Sequence, residues 1–154
     1  MLIGEILDHA AIAPRASAPN KRQVLALIAD IASRNFGLRA SDVLDGLAER
    51  ELAGSTGVGH GVAAPHARLT GVDQMRAVFL RLEQPVDFSS VDEQPVDLVF
   101  AIISPADSGS EHLRVLAKVS RLMRQSELRE QLRQARTSDA IYALLAQDIT
   151  SSAA

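Results

Sequence analysis

The chain has 154 residues, a formal net charge of −3 and no cysteine. The length fits one domain, the charge offers no basic field for nucleic acid, and the lack of cysteine excludes disulfides and thiolate metal sites. Apolar residues are 47% and charged residues 23%, as in soluble globular proteins, and no run approaches the roughly 20 apolar residues of a membrane span.

In chain order, residues 2–8 read as a short helical turn with no signal-peptide pattern, so a cytoplasmic protein is expected. Ala10 to Ala13 read as a first strand ended by Pro14, and Ala16 to Pro19 as a turn. Asn20 to Asn35 form an amphipathic helix, with Val24, Leu27, Ile28, Ile31 and Ala32 at helical spacing. Gly37 ends it. Ser41 is expected to cap a second helix with Val43, Leu44, Leu47 and Ala48 inward and Arg50 near its end. A glycine-rich stretch follows, Gly54 to Ala67, containing a short apolar strand at Val62 to Ala64. Ala77 to Leu82 and Leu98 to Ile103 are the two clearest strands. The second is continuously apolar and should be central and covered on both faces. Glu83 to Pro95, with two prolines, reads as a connection that could hold a short edge strand. After Pro105, Ser108-Gly109-Ser110-Glu111 has the pattern of a capping box opening a helix that carries Leu113, Leu116, Val119 and Met123. Ser126 and Thr137 are expected to cap two more helices, with Leu128 and Leu132 on one and Ile141, Leu144 and Leu145 on the other. The expected architecture is a three-layer α/β/α sandwich, a small mixed sheet between helices. It forms a single domain over residues 1–149, with 150–154 a frayed tail.

The stretch that could carry chemistry is Gly54-Ser55-Thr56-Gly57-Val58-Gly59-His60-Gly61-Val62-Ala63-Ala64-Pro65-His66-Ala67. Pro65 fixes its own φ and holds Ala64 extended, so His66 stands on a stiff stalk behind a pliable loop. Neutral imidazole is a nucleophile near pH 7 and can take a phosphoryl group if donors and room surround it. Ser55 and Thr56 offer hydroxyls, Arg50 a guanidinium fork, and His112 sits early in a helix, where the dipole favours anions. Each has a plainer reading. His66 could be a hydrogen-bonded structural residue, His112 an exposed helix residue, Arg50 a solvated helix cation and Thr56 a turn former.

Ser55 to His66 resembles the phosphorylation-site signature of the fructose/mannitol-type enzyme IIA proteins of the phosphotransferase system, roughly Ser/Thr-Thr-Gly-x-Gly-x-Gly-x-Ala-x-Pro-His. Arg50-Glu51 before it and Glu111-His112-Leu113 after it extend the resemblance. It is greatest to the free-standing nitrogen-regulatory branch. The resemblance implies His66 as phosphoryl acceptor, His112 and Arg50 as active-site partners, and Ser55, Thr56 and Gly57 at the phosphoryl group. It also implies a histidine phosphocarrier protein as donor, no cofactor, and regulatory targets such as potassium-uptake systems or sensor kinases. The alternative is a sugar-branch component that passes the group to a IIB domain. His66 and His112 should meet although 46 positions apart, because the strand ending at Pro105 and the helix after Ser108 open at one sheet edge. The departure is His60, where the family commonly carries asparagine; it is expected to add a third titratable ring near the site.

Other chemistries fit less well. His60, His66 and His112 could form a metal triad, but His-x5-His is not a helical ligand spacing and no metalloprotease motif is present. Gly54-Ser55-Thr56-Gly57 is one residue short of a hydrolase elbow. No Gly-Lys-Ser/Thr follows the glycines, as a nucleotide loop would need.

Overall fold

In a computed structural model, which describes residues 2–147, the chain is a mixed sheet between two layers of helices. A short helix α1 (Ile3–Ile6) leads into β1 (Leu7–Ala16). Helices α2 (Lys21–Phe36) and α3 (Ala40–Ala53) follow, then three short strands, β2 (Gly57–Gly59), β3 (Val62–Ala63) and β4 (His66–Leu69). The long strands β5 (Arg76–Val86) and β6 (Val96–Pro105) precede α4 (Ser110–Met123), α5 (Ser126–Gln134) and α6 (Ser138–Leu145). The strand order is β1-β5-β6-β3-β2, with β4 also on β6.

β6 is the axis, and its continuous apolar run is covered on both sides. Val99, Ala101 and Ile103 face α2 and α3 in one core; Leu98, Phe100 and Ile102 face α1, α4, α5 and α6 in the other. β5 alternates in the same way, with Val78 and Leu80 toward the first core and Ala77 and Phe79 toward the second. This period-2 division locks the register, because a slip of one residue would exchange the two cores.

Several local expectations are corrected. The first strand begins at Leu7, so residues 7 and 8 are not helical, and it passes through Pro14. β1 is an edge strand paired only with β5, and Pro14 falls at a register shift, where no ladder N–H is required. The connection after Leu82 is shorter than expected, because β5 continues to Val86 and pairs there with Val96. Thr137 caps α6 by accepting from Ala140 N–H, and Asn20 caps α2 through Gln23 N–H.

Ser41, Ser108 and Ser126 cap nothing. α3 starts from Arg39, because Leu38 and Ala40 pack on the core and draw the start of the helix back. α5 starts from an extended Gln125, with Ser126 already helical and the buried Leu128 and Leu132 setting its phase. α4 starts from Gly109 at φ 61°, ψ −135°, a conformation that suits only glycine, so Ser108 stands one residue before the N-cap and its hydroxyl makes no cap bond. Leu113 lies on the solvent side of α4; Val115, Val119, Leu122 and Met123 form its buried face. The proposed tail at 150–154 and the boundary at 149 lie outside the described residues.

Candidate functional site

β3 and β4 form one extended segment laid parallel along β6, broken at Ala64-Pro65. Val62 and Ala63 register with Leu98 and Val99, and His66 to Leu69 with Ile102 to Pro105. Pro65 has no N–H to give, and its carbonyl takes Ile102 N–H. The break frees the Ala64 carbonyl from the ladder, and it accepts from His66 Nδ1–H at 2.9 Å. A carbonyl can only accept, so the ring proton is on Nδ1 and the lone pair on Nε2. Arg50 Nε–H donates to that Nε2 at 3.1 Å, while its Nη1 donates to the Gly54 carbonyl at 2.7 Å. Burial, and then the Arg50 and Arg68 charges, hold the half-buried His66 ring below the usual histidine pKa against the opposing Ala64 bond and Glu51 charge.

His112 arrives from α4. Its ring centroid lies 5.4 Å from that of His66, tilted by 56°, so the edge shared by β6 and α4 brings the two together. The side chain is only 3% exposed, and its Nδ1 lies 2.6 Å from Ser104 Oγ, itself fully buried near the end of β6. Burial, reinforced by His66 and Arg68, pushes the His112 pKa down to about 4. Both rings are therefore neutral at pH 7.

The glycine-rich loop is held by a separate network. Glu51, buried at the end of α3, accepts from Thr56 N–H at 2.9 Å and Thr56 Oγ1–H at 2.6 Å, and pairs with Lys21 Nζ at 3.1 Å. Ser55 Oγ–H donates to the Phe88 carbonyl and accepts from Gly57 N–H. The hydroxyls of Ser55 and Thr56 and the Gly57 N–H are thus bonded within the protein. Gly57 is required for packing, because a Cβ there would fall on Ser90 Oγ.

His60 does not join the two other rings. It sits in the β2–β3 turn, where Gly61 O accepts from Asp97 and Leu98 N–H at the opposite end of β6. Val62 and His66 register four positions apart along that strand, roughly 13 Å at strand spacing. The expectation of a third titratable ring at the site is corrected. The residue takes φ 58°, a left-handed conformation that asparagine and histidine both tolerate better than most residues. The three-histidine metal set therefore does not assemble, and no cluster of three or more ligating side chains occurs among the described residues.

Two residues at the site were not read from the sequence. Arg68 lies two positions after His66 on β4, on the same face, and its Nη2 donates to the Gly109 carbonyl at the start of α4. The signal was the strand itself, too short and polar to stand out. Ser104 is the other. It is one hydroxyl in an apolar strand, and its contact with His112 depends on where α4 docks.

Residues 5–148 match the family model described as "Phosphoenolpyruvate-dependent sugar phosphotransferase system, EIIA 2". The chain is 39% identical over 146 residues, 95% of each chain, to a nitrogen regulatory protein of Bradyrhizobium diazoefficiens. It is 36% identical over 104 residues, 68% of each chain, to a fructose-specific EIIA component of Haloferax volcanii. The crystal structure of nitrogen regulatory protein IIA-Ntr from Neisseria meningitidis superposes with a TM-score of 0.88 at 36% identity, covering 93% of this chain and 98% of that one.

Proposed function

The chain belongs to the EIIA 2 family of the sugar phosphotransferase system, and from that premise we propose that it is a nitrogen-regulatory-type phosphocarrier that takes a phosphoryl group on His66 Nε2. The observation that carries this reading is the His66 ring itself. Ala64 holds its Nδ1–H, so Nε2 keeps a lone pair between Arg50 and His112. In the transfer, that lone pair attacks phosphorus in line. The P–N bond of the donor's phosphohistidine breaks, and its electron pair returns to the donor ring. His66 needs no base, because the proton on Nδ1 stays on Nδ1 throughout.

The phosphoryl group brings about −2 charge. Arg50 would shift from Nε2 onto its oxygens, with Arg68 adding positive potential and the His112 ring alongside. Ser55, Thr56 and Gly57 contribute by holding the loop that shapes the pocket. Leu52 and Leu113, 89% and 61% exposed, lie two residues after Arg50 and next to His112. They are solvent-open apolar side chains on the helices that carry Arg50 and His112, and would offer contact area to a protein donor such as a histidine phosphocarrier. No helix among the described residues is long and apolar enough to cross a membrane. The added charge would change how this face docks on targets, of which potassium-uptake systems and sensor kinases are the proposed kind.

The likeness to a fructose-specific component supports a second reading, in which His66 hands the group on to a IIB domain. Incubation with phosphoenolpyruvate, enzyme I and a histidine phosphocarrier, followed by intact mass, tests the common step. Wild type should gain one phosphoryl group and His66→Ala none; undiminished labelling of the variant would refute it. Onward transfer to a IIB domain would select the sugar reading, and phosphorylation-dependent target binding without it the regulatory one.

A further inference from the structure

The two rings at the site are held by different kinds of partner. His66 Nδ1 meets a carbonyl, which can only accept. His112 Nδ1 meets the Ser104 hydroxyl, which can donate or accept. Ser104 is fully buried, His112 is 3% exposed, and the Oγ–Nδ1 distance is 2.6 Å. Among the described residues, that nitrogen is the one hydrogen-bond partner of Ser104 Oγ.

This permits a proton count. If His112 carried its proton on Nδ1 and donated it to Ser104, the serine proton would be buried with no acceptor. Unmatched buried donors are strongly disfavoured. If instead Ser104 donates to Nδ1, the buried hydroxyl and Nδ1 are both matched, and the neutral imidazole must carry its proton on Nε2. The low His112 pKa keeps the ring in that neutral form.

We propose that Ser104 is a positioning residue that fixes His112 as the Nε2–H tautomer, opposite to the Nδ1–H tautomer of His66. The pair then divides the work. His66 presents a lone pair to phosphorus, and His112 presents an N–H to a phosphoryl oxygen. With its own Nε2 protonated, His112 does not compete as acceptor, although the two rings are near neighbours. The division of work rests on the reading of His66 as acceptor; the tautomer of His112 does not.

Long-range 1H–15N correlation of the imidazole rings near pH 7, without phosphoryl donor, tests the tautomers in wild type. His112 should show a pyrrole-type Nε2 and a pyridine-type Nδ1 moved by a hydrogen bond, with His66 the reverse. A pyrrole-type Nδ1 on His112 would overturn the proposal without bearing on whether His66 is phosphorylated. Ser104→Ala should move His112 Nδ1 toward the unbonded pyridine position and leave His66 unchanged. It should also slow phosphoryl exchange with the carrier by about ten- to a hundredfold, the range for partners that orient metal-bound histidines. Ser104→Thr, which keeps the hydroxyl, should restore both. An unchanged His112 Nδ1 resonance or a wild-type exchange rate in Ser104→Ala would refute the positioning role. If wild type accepts no phosphoryl group, the function fails and the ring spectra still decide the tautomer.

Discussion

The two ends of β6 carry similar residues put to opposite uses. At the Val96 end, Arg133 clasps the Asp97 carboxylate through Nε and Nη2 at 2.9 to 3.1 Å and donates to the His60 carbonyl. Its charge is matched by a neighbouring carboxylate. At the Pro105 end, Arg50 and Arg68 have no carboxylate partner among the described residues. Their hydrogen bonds go to His66, Gly54 and Gly109. One end is electrostatically closed, and the other leaves positive charge over two neutral rings and would gain most from an anion. A histidine and an arginine near each other do not make a site; an arginine with no carboxylate of its own, bonded instead to an unprotonated ring nitrogen, is far more telling.

The largest effect that would break this contrast is expected at Arg50. Arg50→Ala should keep its fold and lower the rate of phosphoryl acceptance by roughly 10²–10³, as for loss of one preorganised donor. Arg50→Lys should recover part of it, because lysine keeps the charge without the fork. Quench-flow measurement against phosphorylated carrier checks both, and a wild-type rate for Arg50→Ala would remove Arg50 from the mechanism. The opposite outcome is expected at Arg133. Arg133→Ala leaves Asp97 partly buried and unpaired, costing about 1–3 kcal/mol, read as a lower urea midpoint, with phosphoryl acceptance unchanged. Loss of acceptance in a folded Arg133→Ala would mean that the two ends are coupled.

The fold was legible where the signal lay within one segment. The apolar run at Leu98–Ile103 placed β6 at the centre, and helical spacing found α2 because those residues bury one face. β4 was not legible, since His-Ala-Arg-Leu has no strand signature and becomes a strand only against β6. Pro14 reads as a stop, yet an edge strand has no use for the missing N–H. The serines at the starts of α3, α4 and α5 looked like caps because capping is a local rule, but packing of Leu38 and the φ of Gly109 decided the first and second starts. The site divides in the same way. His66, His112 and Arg50 were readable as a motif and its flanks, and their meeting followed from where β6 ends and α4 begins. Arg68 and Ser104 depend on tertiary placement. His60 looked like part of the site because it shares the motif, but the motif spans both ends of β6.

A smaller effect separates the two ends by pH. The His112 pKa is held at about 4 and that of His66 below its usual value, so the folded state resists protons that the unfolded chain binds. Stability attributable to these rings is therefore complete above about pH 6.5 and falls as pH drops through the window toward 4. Urea midpoints at pH 7, 5.5 and 4.5 should show a steeper decline for wild type than for His112→Gln, which has no proton to gain. Equal declines would show that His112 is not held neutral by its surroundings.

The smallest effect is expected at His60. Its ring is exposed, and its backbone does the work: N–H donates to Asp92 Oδ2 at 2.9 Å and the carbonyl accepts from Arg133, both at φ 58°. Asparagine reaches the same conformation with the same backbone groups, so His60→Asn should change stability by no more than about 0.5 kcal/mol. It should leave the rate of phosphoryl acceptance at the wild-type value, because the ring is four or more strand residues from His66. A β-branched residue has no such tolerance. His60→Val should cost roughly 1–2 kcal/mol, the penalty for a left-handed backbone with a crowded Cβ, with transfer again unchanged once folded. Urea denaturation and carrier exchange on both variants separate the backbone from the ring. A neutral valine would mean that the turn relaxes out of its left-handed form. A slower transfer in His60→Asn would show that the imidazole reaches the phosphoryl site by a route the static arrangement of β6 does not provide.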